Sequence, residues 1–203
     1  MSDSHYFSAS PQSKRKPRTV ELRVGDLNLG LATDKGVFAF AEVDFGTRHL
    51  LAKMPAPPTQ GALLDLGCGY GPIAVALSRW APQAEIWAVD VNPRALELCR
   101  NNLGRYRYSG SRVCTPDEVP EEVRFGAIYS NPPIHIGKVA LHKILKFWLN
   151  RLTSDGVAYL VVNKNLGADS LARWLTQQGW PTVRLSSRRG YRILEVRPQP
   201  PAQ

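Results

Sequence analysis

From residue 62 onward, short apolar runs alternate with longer stretches whose apolar positions recur every three to four residues. ALLDLG (62–67), AEIWAVDV (84–91), FGAIYSN (125–131) and GVAYLVVN (156–163) have strand length and end in carboxylates or turn formers, as buried strands do. A weaker strand fits 111–115. The stretches between them predict helices. Residues 70–81 carry Pro72 in the first turn, and 92–106 open with Asn92 as cap and Pro93 at the first helical position. In 139–152 the apolar stripe falls at 141, 144, 145, 148, 149 and 152, and 168–180 ends near Gly179. Ahead of this core, 19–24 and 27–31 alternate apolar and polar positions around Gly25-Asp26, a β-hairpin signal. Residues 36–47 predict a loop leading into a short helix over 46–54. At the other end, 181–196 predicts a closing antiparallel hairpin.

Strands alternating with helices imply an α/β fold, a mostly parallel sheet with helices on both faces. The final hairpin is expected to add an antiparallel edge strand. A length of 203 residues suits one domain. We expect it over 19–197, between a flexible basic arm at 1–18 (Lys14, Arg15, Lys16, Arg18) and a loose tail at 198–203.

Charge adds a partner class. The 26 Lys and Arg outnumber the 17 Asp and Glu, leaving a net charge of +9, which favours a polyanion. Cys68, Cys99 and Cys114 show no Cys-x-x-Cys spacing, so neither a metal site nor a disulfide framework is expected. No apolar stretch reaches membrane-span length and the first residues lack the apolar core of a secretory signal, so the expected compartment is the cytoplasm.

The sharpest motif is DLGCGYGP (65–72), between a predicted strand and a predicted helix. Gly67, Gly69 and Gly71 form G-x-G-x-G, which permits a tight turn and close approach of a ligand to the backbone. A dinucleotide fingerprint requires G-x-G-x-x-G. The spacing here, with Asp65 ahead of it, resembles the S-adenosylmethionine loop of class I methyltransferases. Asp90, with Val91 beside it, ends the next strand about 20 residues on, where a carboxylate accepts hydrogen bonds from ribose hydroxyls; a nicotinamide cofactor would use the same acid. Asp117 suits a turn before Pro120 as well as an adenine contact.

The second motif is SNPPI (130–134), at the end of a predicted strand. Asn131-Pro132-Pro133 resembles the motif of methyltransferases that act on amino groups attached to planar rings. Such an amine is a poor nucleophile because its lone pair is delocalised. The Asn131 side-chain oxygen and the Pro132 carbonyl could hold both N–H groups and turn the lone pair toward the methyl group, catalysis by orientation and electrostatics. Ile134 stands where such enzymes often carry an aromatic ring, which leaves the base open.

Together with GVFAFAEVDFGTRHLL, AVDVNPRALELCRNN, SNPPIHIGK and RRGYRILEV, these motifs resemble the RsmC/RlmG-like family of ribosomal RNA guanine-N2 methyltransferases over about 19–197. The resemblance implies a Rossmann-like seven-stranded sheet, S-adenosylmethionine as cofactor, guanine N2 as target, and ribosomal RNA or a ribosomal subunit as partner. It places Phe38 and Asp44 near the methionine end of the cofactor. Lys138, Arg105 and Arg107 are the expected RNA contacts, the last two because Arg105-Tyr106-Arg107-Tyr108 interleaves charge with rings. Two rivals stay open: a non-catalytic RNA-binding protein on the same fold, and a methyltransferase for a protein or small molecule. Oligomeric state is open.

Overall fold

The computed structural model describes residues 14–106 and 108–199. Most of the arm, residues 200–203 and Arg107 therefore lie outside the described residues. Two strands, β1 (Arg18–Val24) and β2 (Leu27–Thr33), form the expected hairpin, a small sheet of its own closed by Gly25 at φ 57°. Val20, Leu22, Val24, Leu29 and Leu31 all point inward from it. At its start, the Arg15 guanidinium grips both carboxylate oxygens of Glu97 at 3.0 and 2.6 Å.

The chain continues through α1 (Phe45–Lys53), β3 (Ala62–Leu66), α2 (Pro72–Trp80), β4 (Glu85–Val89), α3 (Pro93–Arg105), β5 (Ser111–Cys114) and β6 (Phe125–Ser130). It ends with α4 (Lys138–Leu149), β7 (Leu152–Asn163), α5 (Ala168–Gln177), β8 (Thr182–Arg188) and β9 (Tyr191–Val196). The main sheet has seven strands in the order β5-β4-β3-β6-β7-β9-β8. The first five are parallel, and β9 runs antiparallel to both of its neighbours.

Two cores sandwich this sheet. On one face α1, α2, α3 and the small hairpin bury Leu50, Ile73, Leu77, Leu96 and Leu103 against Leu63, Ile86 and Tyr129. On the other, α4 and α5 bury Leu141, Leu145, Trp148, Leu171 and Leu175 against Leu64, Trp87, Ile128 and Leu160. Adjacent residues such as Leu63 and Leu64 thus face opposite cores, which is why the central strands read as unbroken apolar runs.

Two expectations change in detail. The helix expected to reach residue 152 stops at Leu149, and Leu152 pairs with Phe125 as the first residue of β7. An apolar residue at 152 satisfies the helical stripe and the strand equally, and pairing with β6 decides it. The antiparallel strand of the final hairpin, β9, lies inside the sheet, and β8 forms the edge.

Candidate functional site

Because β3, β4, β5, β6 and β7 are parallel, the loops at their C-terminal ends share one edge of the sheet, where open α/β sheets bind ligands. After β3 the backbone passes through Gly67 at φ 74° and Gly69 at φ 55°. The Gly67 and Cys68 N–H groups donate to the Val89 carbonyl at 2.8 and 3.0 Å, folding the loop over the end of β4. A Cβ built on Gly67 or Gly69 would meet nothing within 4 Å, so open space lies over a backbone that glycine adopts without steric cost. Gly71 differs: its Cβ would lie 2.7 Å from the Cys99 Sγ, so this glycine lets α2 start hard against α3. Asp65 is fully buried below the loop. Its Oδ2 accepts the Ala74 N–H at 2.9 Å, its Oδ1 has no partner among the described residues, and burial pushes its carboxyl up to about 8.

Asp90 completes the loop from β4. Its Oδ2 accepts the Gly69 N–H and its Oδ1 the Asn92 N–H, each at 2.9 Å, and Val91 adds a third backbone donor. Burial raises the Asp90 pKa and these donors oppose the rise. Asn92 caps α3 through Arg94 N at 3.0 Å and donates to the Gly36 carbonyl at 2.9 Å. Tyr70 OH reaches the Ala39 carbonyl at 3.4 Å. The segment carrying Phe38 is thus fastened both to the glycine loop and to the start of α3, with the Phe38 ring 63% exposed. Asp117 is exposed, in a 3-10 turn after β5 that Thr115 and Glu118 close as a capping box. Open space over two glycines, a carboxylate with a lone pair to spare and an uncovered ring fit a nucleoside cofactor.

Asn131 follows β6, whose last residue, Ser130, is tied to the Leu66 carbonyl through Oγ at 2.7 Å. The Asn131 Nδ2 donates to Asp44 Oδ2 at 2.9 Å and to Thr47 Oγ1 at 3.1 Å. A carboxylate offers only acceptors, so the amide nitrogen faces Asp44 and the amide is fixed one way round. Its Oδ1 receives no donor among the described residues. Asp44 is itself held: it caps α1 by accepting Thr47 N at 3.2 Å, and Tyr191 OH donates to its Oδ1 at 3.3 Å. Pro132 is buried, and its carbonyl accepts Ile134 N at 2.9 Å, leaving one lone pair. Pro133 and Ile134 are half-buried, and Ile134 opens a 3-10 turn with the exposed His135.

The structure therefore brings Gly67, Gly69, Asp90, Val91, Phe38, Asp117 and Asn131 to one edge, with Lys138 exposed at the start of α4 beside them. It does not bring Arg105 there. Arg105 ends α3, at the opposite end of the sheet, and donates to the Gly30 carbonyl at 3.0 Å. Thr47 and Tyr191 were not anticipated. Asp44 three residues before Thr47 is a visible cap pattern, whereas nothing local marks Tyr191. Among the described residues no group of three or more His, Cys, Asp or Glu could hold a metal, and no helix is long and apolar enough to cross a membrane.

Comparison with known proteins gives the chain a family and supports its fold. The family described as "Methyltransferase small domain" matches residues 28–195. A protein of Bacillus subtilis (strain 168), "Uncharacterized protein YbxB", is 32% identical over 196 residues, 95% of this chain and 98% of its own length. "Ribosomal RNA small subunit methyltransferase C" of Aeromonas hydrophila subsp. hydrophila is 34% identical over 147 residues, 70% of this chain but 42% of its own length. Among solved structures, the T. thermophilus 16S rRNA N2 G1207 methyltransferase (RsmC), in complex with AdoMet and guanosine, superposes with a TM-score of 0.77 at 23% identity. That match takes in 94% of this chain and 52% of the other, so the chain spans about half the length of the ribosomal RNA methyltransferases it matches.

Proposed function

The chain belongs to the methyltransferase small domain family, and from that premise we propose that it methylates N2 of guanine in ribosomal RNA. Its methyl donor is S-adenosylmethionine, which supplies a methyl group on a positively charged sulfur. Gly67, Gly69 and Asp90 would hold the nucleoside part, with Phe38 toward the methionine end and Asp117 and Val91 at the adenine end. The observation that carries the reading is the Asn131 amide, whose nitrogen is committed to Asp44 and Thr47 so that Oδ1 is presented as an acceptor.

Asn131 Oδ1 and the free lone pair of the Pro132 carbonyl supply two acceptors for the two hydrogens of an exocyclic amine. Holding both favours a pyramidal nitrogen with its lone pair directed at the methyl carbon, and the preset orientation of the amide avoids reorganisation during the reaction. Transfer would exchange the S–C bond of the methyl group for an N–C bond, leaving the donor as a neutral thioether, and the resulting cationic, strongly acidic nitrogen would lose its proton to surrounding water. Pro132 and Pro133 keep the accepting carbonyl aimed. Asp65 braces the loop from beneath. Ribosomal RNA as acceptor accords with the charge of +9 and with the named function of the A. hydrophila relative. A reducing cytoplasm accords with three free cysteines.

The test is transfer of labelled methyl groups to ribosomal RNA and to assembled subunits that lack native methylation, followed by nucleoside analysis. Label in N2-methylguanosine is expected. Label in another nucleoside would change the base, and none in any RNA while the cofactor binds would move the acceptor to a protein or a small molecule.

A further inference from the structure

The β8–β9 hairpin turns at Arg189-Gly190, with φ of 49° and 81°. Two successive positive φ values are the signature of a type I′ turn, whose first position favours Asn, Asp or Gly. A long side chain there is strained, and such strain persists where the surroundings or a function demand it. This turn lies at the same sheet edge as Asn131, since β8 and β9 meet there through Arg188 and Tyr191 and β7 ends there at Asn163. The Arg189 guanidinium lies 5.2 Å from the centre of the Phe45 ring, which packs on Tyr191 at 5.6 Å, and Tyr191 bonds Asp44, which holds Asn131.

Other cations surround this point. Lys164 follows the end of β7, with its backbone N–H donating to the Gly190 carbonyl at 2.6 Å. Register places Arg188 on the same face of the sheet as Tyr191 and Ile193, toward α1, where Ser186 meets His49 at 3.2 Å. His49 is held below its usual range first by burial and then by Arg188 and Lys53, so both cations stand within electrostatic reach of it. Lys53 ends α1, about 9 Å along the helix axis from Thr47. Lys53, Lys164, Arg188 and Arg189 are exposed, and among the described residues none of them pairs with a carboxylate.

We propose that these four cations, ranged beside Phe45 and Tyr191, form the docking rim for the phosphate backbone of the RNA acceptor, on the α1 side of the target site. The inference rests on the RNA-methyltransferase reading above. Exposed cations without carboxylate partners are what a polyanion neutralises at least desolvation cost, and their spread from the hairpin tip along α1 suits consecutive phosphates on either side of one base. The strain at Arg189 holds a guanidinium at the tip where a cheaper turn residue would carry no positive charge.

The experiment compares the full-length protein with a rim variant, Lys53→Gln/Lys164→Gln/Arg188→Gln, and a control, Arg79→Gln/Arg124→Gln/Arg173→Gln, that removes equal charge elsewhere. Binding of deproteinised ribosomal RNA is followed across salt concentrations, with S-adenosylmethionine binding as the check on folding. The rim variant is expected to lower the slope of log K against log salt by roughly two to three and to weaken binding on the order of a hundredfold at ~0.1 M salt. The control variant should change either quantity far less. A separate Arg189→Asn variant should raise the melting temperature yet weaken RNA binding. Equal losses in rim and control variants, or an Arg189→Asn protein that binds RNA as before, would overturn the docking rim while leaving the enzymatic reading intact. Absence of methyl transfer from the wild type to any RNA would overturn both.

Discussion

Asp44 joins three parts of the chain at one carboxylate: the start of α1 through Thr47, the target loop through Asn131, and β9 through Tyr191. Removing Asn131 itself, as Asn131→Ala, should lower kcat about a hundredfold to a thousandfold with cofactor affinity kept, the scale seen when one preorganised polar group is lost. Unchanged turnover would remove Asn131 from the mechanism. Asp44→Ala should act at one remove, lowering kcat about 10- to 100-fold because Asn131 is no longer held one way round, and lowering stability by about 1 kcal/mol through the lost cap. Asp44→Asn still caps and still offers Asn131 an acceptor, so it should recover most of both. A kcat unaffected by Asp44→Ala would show that the amide needs no brace.

The elements were largely legible because each carried its own signal: Asn92-Pro93 for α3, the apolar stripe for α4, Gly25-Asp26 for the first hairpin. The limits of α4 and β7 were not, since Leu152 satisfies either period and only its pairing with Phe125 chooses. Motif spacing revealed the glycines, yet Gly67 and Gly69 face open space while Gly71 serves the packing of α2 on α3, a difference that depends on Cys99, 28 positions away. Asn102 was equally hidden. Buried in α3, it donates to the carbonyls of Ala32 and Tyr70, each at 2.8 Å, and accepts Ala32 N at 2.7 Å. It clasps the N-terminal hairpin and the glycine loop together. Asn102→Ala should leave those groups unpaired and cost about 2–4 kcal/mol, read as a shift in the urea midpoint. A loss below about 0.5 kcal/mol would mean that water replaces the amide.

For the whole molecule, burial sets how stability changes with pH. Asp65 titrates near 8 in the fold and about 3.9 in an unfolded chain. Between those values the folded state binds more protons than the unfolded one. Stability is therefore full at the acid end of that window and declines as pH rises toward 8. Asp90, also raised by burial, adds in the same direction. Urea midpoints should accordingly fall between about pH 5.5 and about pH 8.5, roughly the upper part of that window, by more in the wild type than in Asp65→Asn. Parallel curves for the two proteins would rule out Asp65 as the source. The basic balance was legible as a preference for polyanions, but the position of each cation in the fold was not. Arg105 and Arg107 looked suitable by their interleaved tyrosines, and Arg105 lies at the far end of α3, where it donates to the Gly30 carbonyl.

The position of β9 inside the sheet also has a temporal meaning. A ribosome translating this chain releases the glycine loop, Asp90, Asn131 and Asp44 well before Tyr191, and β8 emerges with no neighbour to pair with until β9 slides between it and β7. Domains generally fold as units during synthesis. The nascent chain thus carries Asn131 and Asp44 before the strand that brings the Tyr191 hydroxyl to that carboxylate, and the proposed methyl transfer would wait on this late-made strand.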